Sequence, residues 1–349
     1  MTRRLALHAK RLAIHGLHAL GVLHLCRRIL LQRRAVVLMY HRVLPSGALG
    51  QTWSHPGIIV TRETFDRHMA VLKKDFTPLT ASAFERALGR EGRFEPGSCL
   101  VTFDDGWVDT YEEALPALRR HGIPAVVFLP TSFIGTSEVF WQERLGAVVY
   151  AVWKQARRDP EFVAAARGRL GEVGLDSVLG LSDSRAREQI MDLVRQKKGV
   201  WGQDPSWPVR VLSAIPGLEV DPADSVDRFM NWDQVREMRA AGVTFGGHGD
   251  THRQLTTLAA DQVVQEVESS RQKIEAELGE RPSAFAYPNG DWNETVAAAV
   301  RDGRFSIAFS TRPGHVSTGD SPHSIRRINM HEDMTGTTPM FLARVLGLI

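Results

Sequence analysis

Cys99-Leu100-Val101-Thr102-Phe103-Asp104-Asp105-Gly106 is the stretch that decides how this 349-residue chain is read. An apolar, strand-forming run stops at two adjacent carboxylates, and Gly106 lets the backbone turn there. Adjacent acids repel each other and gain nothing from burial, so the pair is not a packing device. It makes sense if a cation neutralises one carboxylate while the other keeps a chemical task. An isolated Asp-Asp-Gly is usually no more than a solvated turn, so the rest of the chain has to supply partners for a metal.

Outward from that stretch, short apolar runs alternate with helical periodicity from Ala35 onward. Residues 36–40, 100–103, 125–130, 243–245, 283–287, 305–310 and 324–328 read as strands. Residues 63–74, 81–88, 110–121, 232–241, 260–278 and 294–302 read as helices, with Gly122 and Gly242 at two expected C-termini. Repeated strand–helix units imply an α/β fold with a parallel sheet, open or closed into a barrel. Between 138 and about 228 the rhythm breaks. Helix-like segments at 145–157, 160–172 and 183–197 read as an insertion after the third strand. Trp201, Pro205, Trp207 and Pro208 read as an irregular return from it.

The second motif is His248-Gly249-Asp250-Thr251-His252, directly after the fourth core strand. Two histidines four apart share a face if that segment makes a helical turn, and so can hold one ion. Two imidazoles and one carboxylate leave positions for water and substrate, the layout of a catalytic rather than a closed structural metal. Polar residues end other strands too: Tyr40-His41-Arg42, Thr131-Ser132 and Tyr287-Pro288-Asn289-Gly290-Asp291. In a parallel strand–helix fold the strand C-termini gather on one face, which carries chemistry. Each signal has an inert reading as a core pair or a turn; five on one face do not.

The totals narrow the partners. Apolar and charged contents of 43% and 24% are those of an ordinary globular protein, and two cysteines offer neither a disulfide framework nor a Cys-rich metal site. Residues 1–34 carry eight Arg and Lys and no acid, which leaves −5 on the rest of a chain whose total is +3. A basic leader with no aromatic-interleaved patch suggests an anionic surface and argues against nucleic acid. The leader is Leu-rich, free of Pro and helical in pattern. Its longest uncharged run of about 15 residues is shorter than a bilayer crossing requires. Two readings stay open: a helix lying on an anionic membrane, or one packed on the domain. No secretory signal is expected, which places the protein on the cytoplasmic side, peripheral on the inner membrane face in the first reading.

With these motifs in this order, the chain resembles the polysaccharide deacetylase family, the NodB-homology domain of carbohydrate esterase family 4. The residues carrying the resemblance are Thr102 to Gly106, His248 to His252 and Phe285-Ala286-Tyr287-Pro288-Asn289-Gly290. The Leu38-Met39-Tyr40-His41-Arg42-Val43 opening and Asn231-Trp232-Asp233 are similar to the branch acting on bacterial surface glycans. The resemblance implies an irregular, distorted TIM-like barrel of about seven parallel strands over residues 35–349, with the helical insertion at about 138–228. It implies a divalent metal, usually zinc, and hydrolysis of an N-acyl group on an amino sugar of a surface glycan or its lipid-linked precursor. Asp105, His248 and His252 would bind the metal and Asp104 would act as base. His41 would be the catalytic histidine of the pocket, with His315 and His323 as other candidates for the general acid. Tyr287, Pro288, Asn289, Thr131 and Arg327 would lie on the substrate side, a backbone N–H near Asn289 steadying the oxyanion.

Three departures accompany the resemblance. Gly249 stands where a Ser or Thr usually fixes the metal loop. Ala286 stands where an arginine usually orients the base; Arg326 or Arg327, at the end of the last strand, could reach that carboxylate from another direction. The Asp-Trp motif of peptidoglycan- and chitin-directed members has no match. Alternatives kept open are a deformylase of a lipid-linked formamido sugar and a non-catalytic glycan-binding protein of the same fold.

Overall fold

The computed structural model describes residues 2–89, 92–182, 185–197, 204, 206–220 and 225–349. Two compact units emerge: residues 1–46, 56–137 and 229–349 form the first, and 47–55 with 138–228 the second.

The first unit is built on a nine-stranded, mostly parallel sheet that curls on itself. Its seven principal strands are β1 (Arg34–Tyr40), β2 (Ser98–Phe103), β3 (Ala125–Leu129), β4 (Thr244–Gly247), β5 (Ala284–Ala286), β6 (Ile307–Phe309) and β7 (Ile328–Asn329). They neighbour one another in chain order, each pair parallel from β1 to β6. The last segment touches both ends of that row. Ile325 bridges Phe309 of β6, and Ile328 and Asn329 pair with Leu38 and Met39 of β1. The result is the irregular α/β barrel expected from the strand–helix rhythm. The expected 324–328 strand is shorter than its apolar pattern because it is shared between two neighbours.

Parallel strands covered on both faces should be apolar without alternation. β2 and β3 are buried at every residue, and β1 at all but its first. Inside, Val37, Leu100, Phe128, Ala286 and Phe309 pack with Phe84 and Phe94. Gly246 has a packing reason: a Cβ there would lie 2.4 Å from the carbonyl oxygen of Ala284. Helices at Ala81–Leu88, Ala260–Leu278 and Glu294–Asp302 fall on the expected residues, and Gly122 and Gly242 close their helices with positive φ.

The basic leader is two helices, α1 (Thr2–Ala19) and α2 (Val22–Leu30), separated at Gly21 in the left-handed region. Among its residues 9–34, Ile14, Leu23 and Leu31 are the apolar side chains it buries.

The second unit has a core of its own, in which Trp53 packs with Leu145, Val149, Val152, Phe162, Ile190 and Leu212. The Trp53 guanidinium partner is Arg187, 3.7 Å above its ring. Asp227 holds the segment by accepting from the Thr52 hydroxyl (2.6 Å) and the Trp53 backbone N–H (2.8 Å). The sequence pattern shows only 138–228 here, because a nine-residue loop contributing one tryptophan has no period to detect. The expected irregular return is corrected too: Trp207 and Pro208 open a helix, Trp207–Ser213, in which Pro stands where no N–H is needed. Trp201 and Pro205 lie outside the described residues.

Behind β1, His68 is fully buried. The Tyr40 hydroxyl donates to its Nδ1 (3.0 Å), its Nε2–H donates to the Thr335 carbonyl (2.8 Å), and its ring stacks on Phe341 at 4.2 Å. Burial pushes its pKa down to about 3. A histidine that is neutral when folded and protonates near 6.5 when unfolded makes the unfolded state bind more protons between those values. Stability therefore falls as pH drops through that window. We expect the native protein to lose about 2 kcal/mol more unfolding free energy than His68→Gln between pH ~7 and pH ~5. Urea denaturation at the two pH values measures this, and equal losses would contradict it.

Candidate metal centre

The C-terminal ends of β1 to β7 bring together side chains far apart in sequence. Asp105 follows β2 with φ 75°, a left-handed backbone that turns its carboxylate back over the barrel mouth. Its Oδ1 lies 3.5 Å from His248 Nε2 and 3.3 Å from His252 Nε2. Among the described residues these three form the one His/Asp group placed to share an ion, their ligand atoms all within 4.8 Å of one another. His248 donates from Nδ1 to the Ala286 carbonyl at 2.7 Å, which fixes the proton on Nδ1 and leaves the Nε2 lone pair facing Asp105. Two imidazoles and a carboxylate, clustered and oriented in this way, fit a divalent cation with coordination positions to spare.

The two histidines do not meet through a helical turn. Residues 248–252 form a loop in which Gly249 has φ 72° and His252 φ 57°. The loop is tied down by Glu266, whose carboxylate accepts from the backbone N–H of Asp250 and of Thr251 (2.8 Å each) and from the Thr251 hydroxyl. Thr131 adds a hydroxyl bond to Asp250 at 2.6 Å. This resolves the departure at Gly249. A Cβ in that left-handed position would sit 3.2 Å from Glu266 Oε2, and the anchoring a hydroxyl would give comes from Glu266 and Thr131 instead.

Asp104 points into the barrel. Arg327, on the segment between β6 and β7, grips it with both arms: Nη1 to Oδ1 at 2.6 Å and Nη2 to Oδ2 at 2.7 Å. The guanidinium also donates to the Ser310 carbonyl (2.9 Å) and to the Thr102 hydroxyl (3.3 Å), and it is fully buried. Burial alone would raise the Asp104 pKa, but the Arg327 charge and hydrogen bonds outweigh it and hold the group below the usual carboxylate range. Burial also works against ionisation of Asp105, yet its bonds to His248 and His252 keep it well below that range. Burial lowers His252, which favours the neutral, ligating imidazole. For His248 burial is overcome by the Asp105 bond and the Asp104 charge, so it is raised.

A second layer supports Asp105. Trp107 Nε1 donates to its Oδ2 at 3.0 Å, and the Trp107 ring is stacked on Phe229 (4.4 Å) beneath the Arg42 guanidinium (4.2 Å). Arg42 in turn is paired with Asp109 at 2.7 Å, and both are buried. Burial pushes the Asp109 carboxyl up while Arg42 opposes it.

A polysaccharide deacetylase family model matches residues 91–161 and 220–306. These residues carry a polysaccharide deacetylase domain. The Bacillus subtilis protein YxkH is 18% identical over 302 residues, covering 86% of this chain and 73% of that protein. Two solved structures share the fold: the deacetylase PplD of Streptococcus pyogenes in complex with acetate, and IcaB of Ammonifex degensii. PplD gives TM-score 0.57 at 17% identity, over 90% of this chain and 98% of its own. IcaB gives 0.58 at 19%, over 90% and 97%.

Within this deacetylase domain the expected residues divide. Asp104, Asp105, His248, His252 and His41 come together, His41 Nε2 lying 3.8 Å from Asp104 Oδ2 with its side chain 15% exposed. Asn289 is exposed on the turn beside them, φ 58°, and Pro288 is buried against Gly249. Three substrate-side assignments are corrected. Thr131 is buried and its hydroxyl is committed to Asp250. Tyr287 is buried, its hydroxyl donating to the His323 carbonyl at 2.9 Å. Arg327 is bonded to Asp104, taking the place an arginine at Ala286 would have, and its guanidinium is fully buried. His315 and His323 are turned elsewhere, their Nε2 atoms bonded to the Val345 and Phe305 carbonyls. Trp107, Asp109 and Glu266 were missed. Trp107 lies two residues past Asp105, a readable signal; Glu266 is one acid among several on a helix and has none.

Removing one member of a buried ion pair strands the other charge, at a cost of about 3–5 kcal/mol. Arg327→Met should destabilise by about that much, and adding Asp104→Asn should restore most of it. Additive losses in urea titrations would contradict the pairing. Glu266→Ala should weaken divalent-metal affinity by roughly 10–100-fold in calorimetry, as loss of an outer support does.

Proposed function

We propose that the protein is a metal-dependent hydrolase that removes an N-acetyl group from an amino sugar of a cell-surface polysaccharide or its lipid-linked precursor. The observation that carries this reading is the placement of an ionised carboxylate, Asp104, directly beside the Asp105/His248/His252 cluster. A carboxylate that is not itself in the ligand set, yet adjoins it, is free for proton transfer. Support from relatives is consistent: the PplD structure contains acetate, the acid that such a reaction releases.

Asp105, His248 and His252 would hold a divalent ion, and their two nitrogens and one oxygen suit Zn²⁺. That ion would supply Lewis-acid polarisation of the acyl carbonyl and would lower the pKa of water. Asp104 accepts a proton from the water that adds to the amide carbon. Arg327 keeps it anionic and correctly turned, so that no reorientation is needed as the proton moves. The C–N bond then breaks, and the departing nitrogen needs a proton. With His315 and His323 directed to backbone carbonyls, His41 is placed to give it, being beside Asp104 and partly open to solvent. The proton held by Asp104 returns to His41, so one water and one amide become an amine and a carboxylic acid. The exposed Asn289 turn, with its left-handed backbone, would offer N–H groups to the oxyanion.

Amine release from N-acetylglucosamine oligomers tests the reading. Asp104→Asn should lower kcat by about 10³-fold with metal retained, in the range for a lost general base. His41→Ala should lower it by about 10²-fold, and His248→Ala should remove both metal and activity. Unchanged amine release in Asp104→Asn would overturn the proposal.

A further inference from the structure

The α1–α2 hairpin has a job the reaction does not explain. Ten large apolar side chains are exposed among the described residues, and six of them lie between positions 12 and 30. Leu12 is 74% exposed, Leu20 79%, Leu25 58% and Ile29 64%, with Leu17 and Leu30 less so. Their directions follow from helix geometry. Ile14 is the buried residue of α1 among positions 9–19, and Leu12, two residues before it, turns about 200° away. Leu23 is the buried residue of α2, and Leu25 and Ile29 turn the opposite way by the same rule. Among residues 9–30 the hairpin thus turns Ile14 and Leu23 toward the body, with Val22, His24, Cys26 and Arg27 half-buried, and the larger leucines toward solvent.

A soluble surface rarely gathers exposed leucines in one place without a partner. The chemistry around this face says which kind. Lys10, Arg11, Arg28, Arg33 and Arg34 are exposed around it, and residues 1–34 contain no acid. Arg11 donates to the Asp333 carbonyl and His24 lies 3.9 Å from Asp75. The segment's own charges are otherwise cations, and apolar side chains flanked by them match the boundary of an anionic bilayer, where the chains enter the acyl region and the cations meet phosphate headgroups. A spanning mode is not available: no helix among the described residues is long and apolar enough to cross a membrane. Not every cation belongs to the face, since Arg27 turns inward over the Phe76 ring.

We infer that the outer face of the α1–α2 hairpin docks on an anionic lipid surface, with Leu12, Leu20, Leu25 and Ile29 inserted and Arg28, Arg33 and Arg34 against the headgroups. The two open readings of the leader are therefore two sides of one device, packed inward through Ile14 and Leu23 and docked outward through the leucines. This inference goes beyond the reaction proposed above and does not depend on it.

Co-sedimentation of the full chain with lipid vesicles tests it. Vesicles of phosphatidylcholine with about a quarter phosphatidylglycerol should bind at least about tenfold more tightly than phosphatidylcholine alone, and raising salt several-fold should weaken that binding. Leu20→Glu with Leu25→Glu should reduce it at least about tenfold. Arg28→Gln, Arg33→Gln and Arg34→Gln together should abolish the preference for anionic lipid, with circular dichroism and the thermal midpoint unchanged in both variant sets. These five positions are exposed, so folding is not at stake in them. No binding, equal binding to both vesicle types, or insensitivity to the leucine changes would overturn the inference. So would a dimer in light scattering that Leu20→Glu with Leu25→Glu dissociates, since a second copy would then be the occupant.

Discussion

Asp104 carries a negative charge in an almost fully buried position, and the fork of Arg327 makes that tolerable. An isolated carboxylate in such surroundings would protonate and cease to be a base. Two parallel charge-assisted bonds, with the remaining guanidinium donors spent on Ser310 and Thr102, satisfy the cation and fix the anion's plane. The pair joins the end of β2 to the segment that completes the barrel. Its geometry thereby links the chemistry at the mouth to closure of the sheet, and a loosely packed last segment would loosen the base with it.

Around this pair the site is held in conformations that most residues avoid. Asp105, His252 and Asn289 all have positive φ, and Arg304 is the one other non-glycine among the described residues that does. Asp, His and Asn tolerate the left-handed region better than most side chains, yet each still costs on the order of 1–3 kcal/mol. The surroundings over-determine them. Asp105 is held by Trp107, which Phe229 and Arg42 clamp from its two faces; the His252 loop is held by Glu266. Such strain is kept in the fold because the ligand atoms converge only when the backbone turns back over the strand ends.

What the sequence made legible follows from how local each signal is. Core strands declared themselves as unbroken apolar runs, and the ligand set as polar residues placed directly after them. Asp104, Asp105, His248 and His252 needed no knowledge of distant partners. That an arginine of the last strand could meet this charge was readable from Ala286, because an absent residue leaves a charge to be met elsewhere. Thr131 and Tyr287 were misread since a polar side chain at a strand end serves a backbone loop as readily as a substrate. Glu266 and Asp109 stayed hidden: an acid on an amphipathic helix looks solvated until the loop or arginine it binds is located. The Trp53 loop was hidden for the same reason, its partners lying more than ninety residues away in chain order.

Arg327 and Asp104 are 223 residues apart, so their union closes a long loop. Closing that loop costs conformational entropy. Until then β2 presents an acid that the forming interior would reject, and a sheet that curls shut early does so at the expense of that stranded charge. The ion pair therefore selects the register of the final segment as well as preparing the base: a register that misses Asp104 would leave two buried charges unmet.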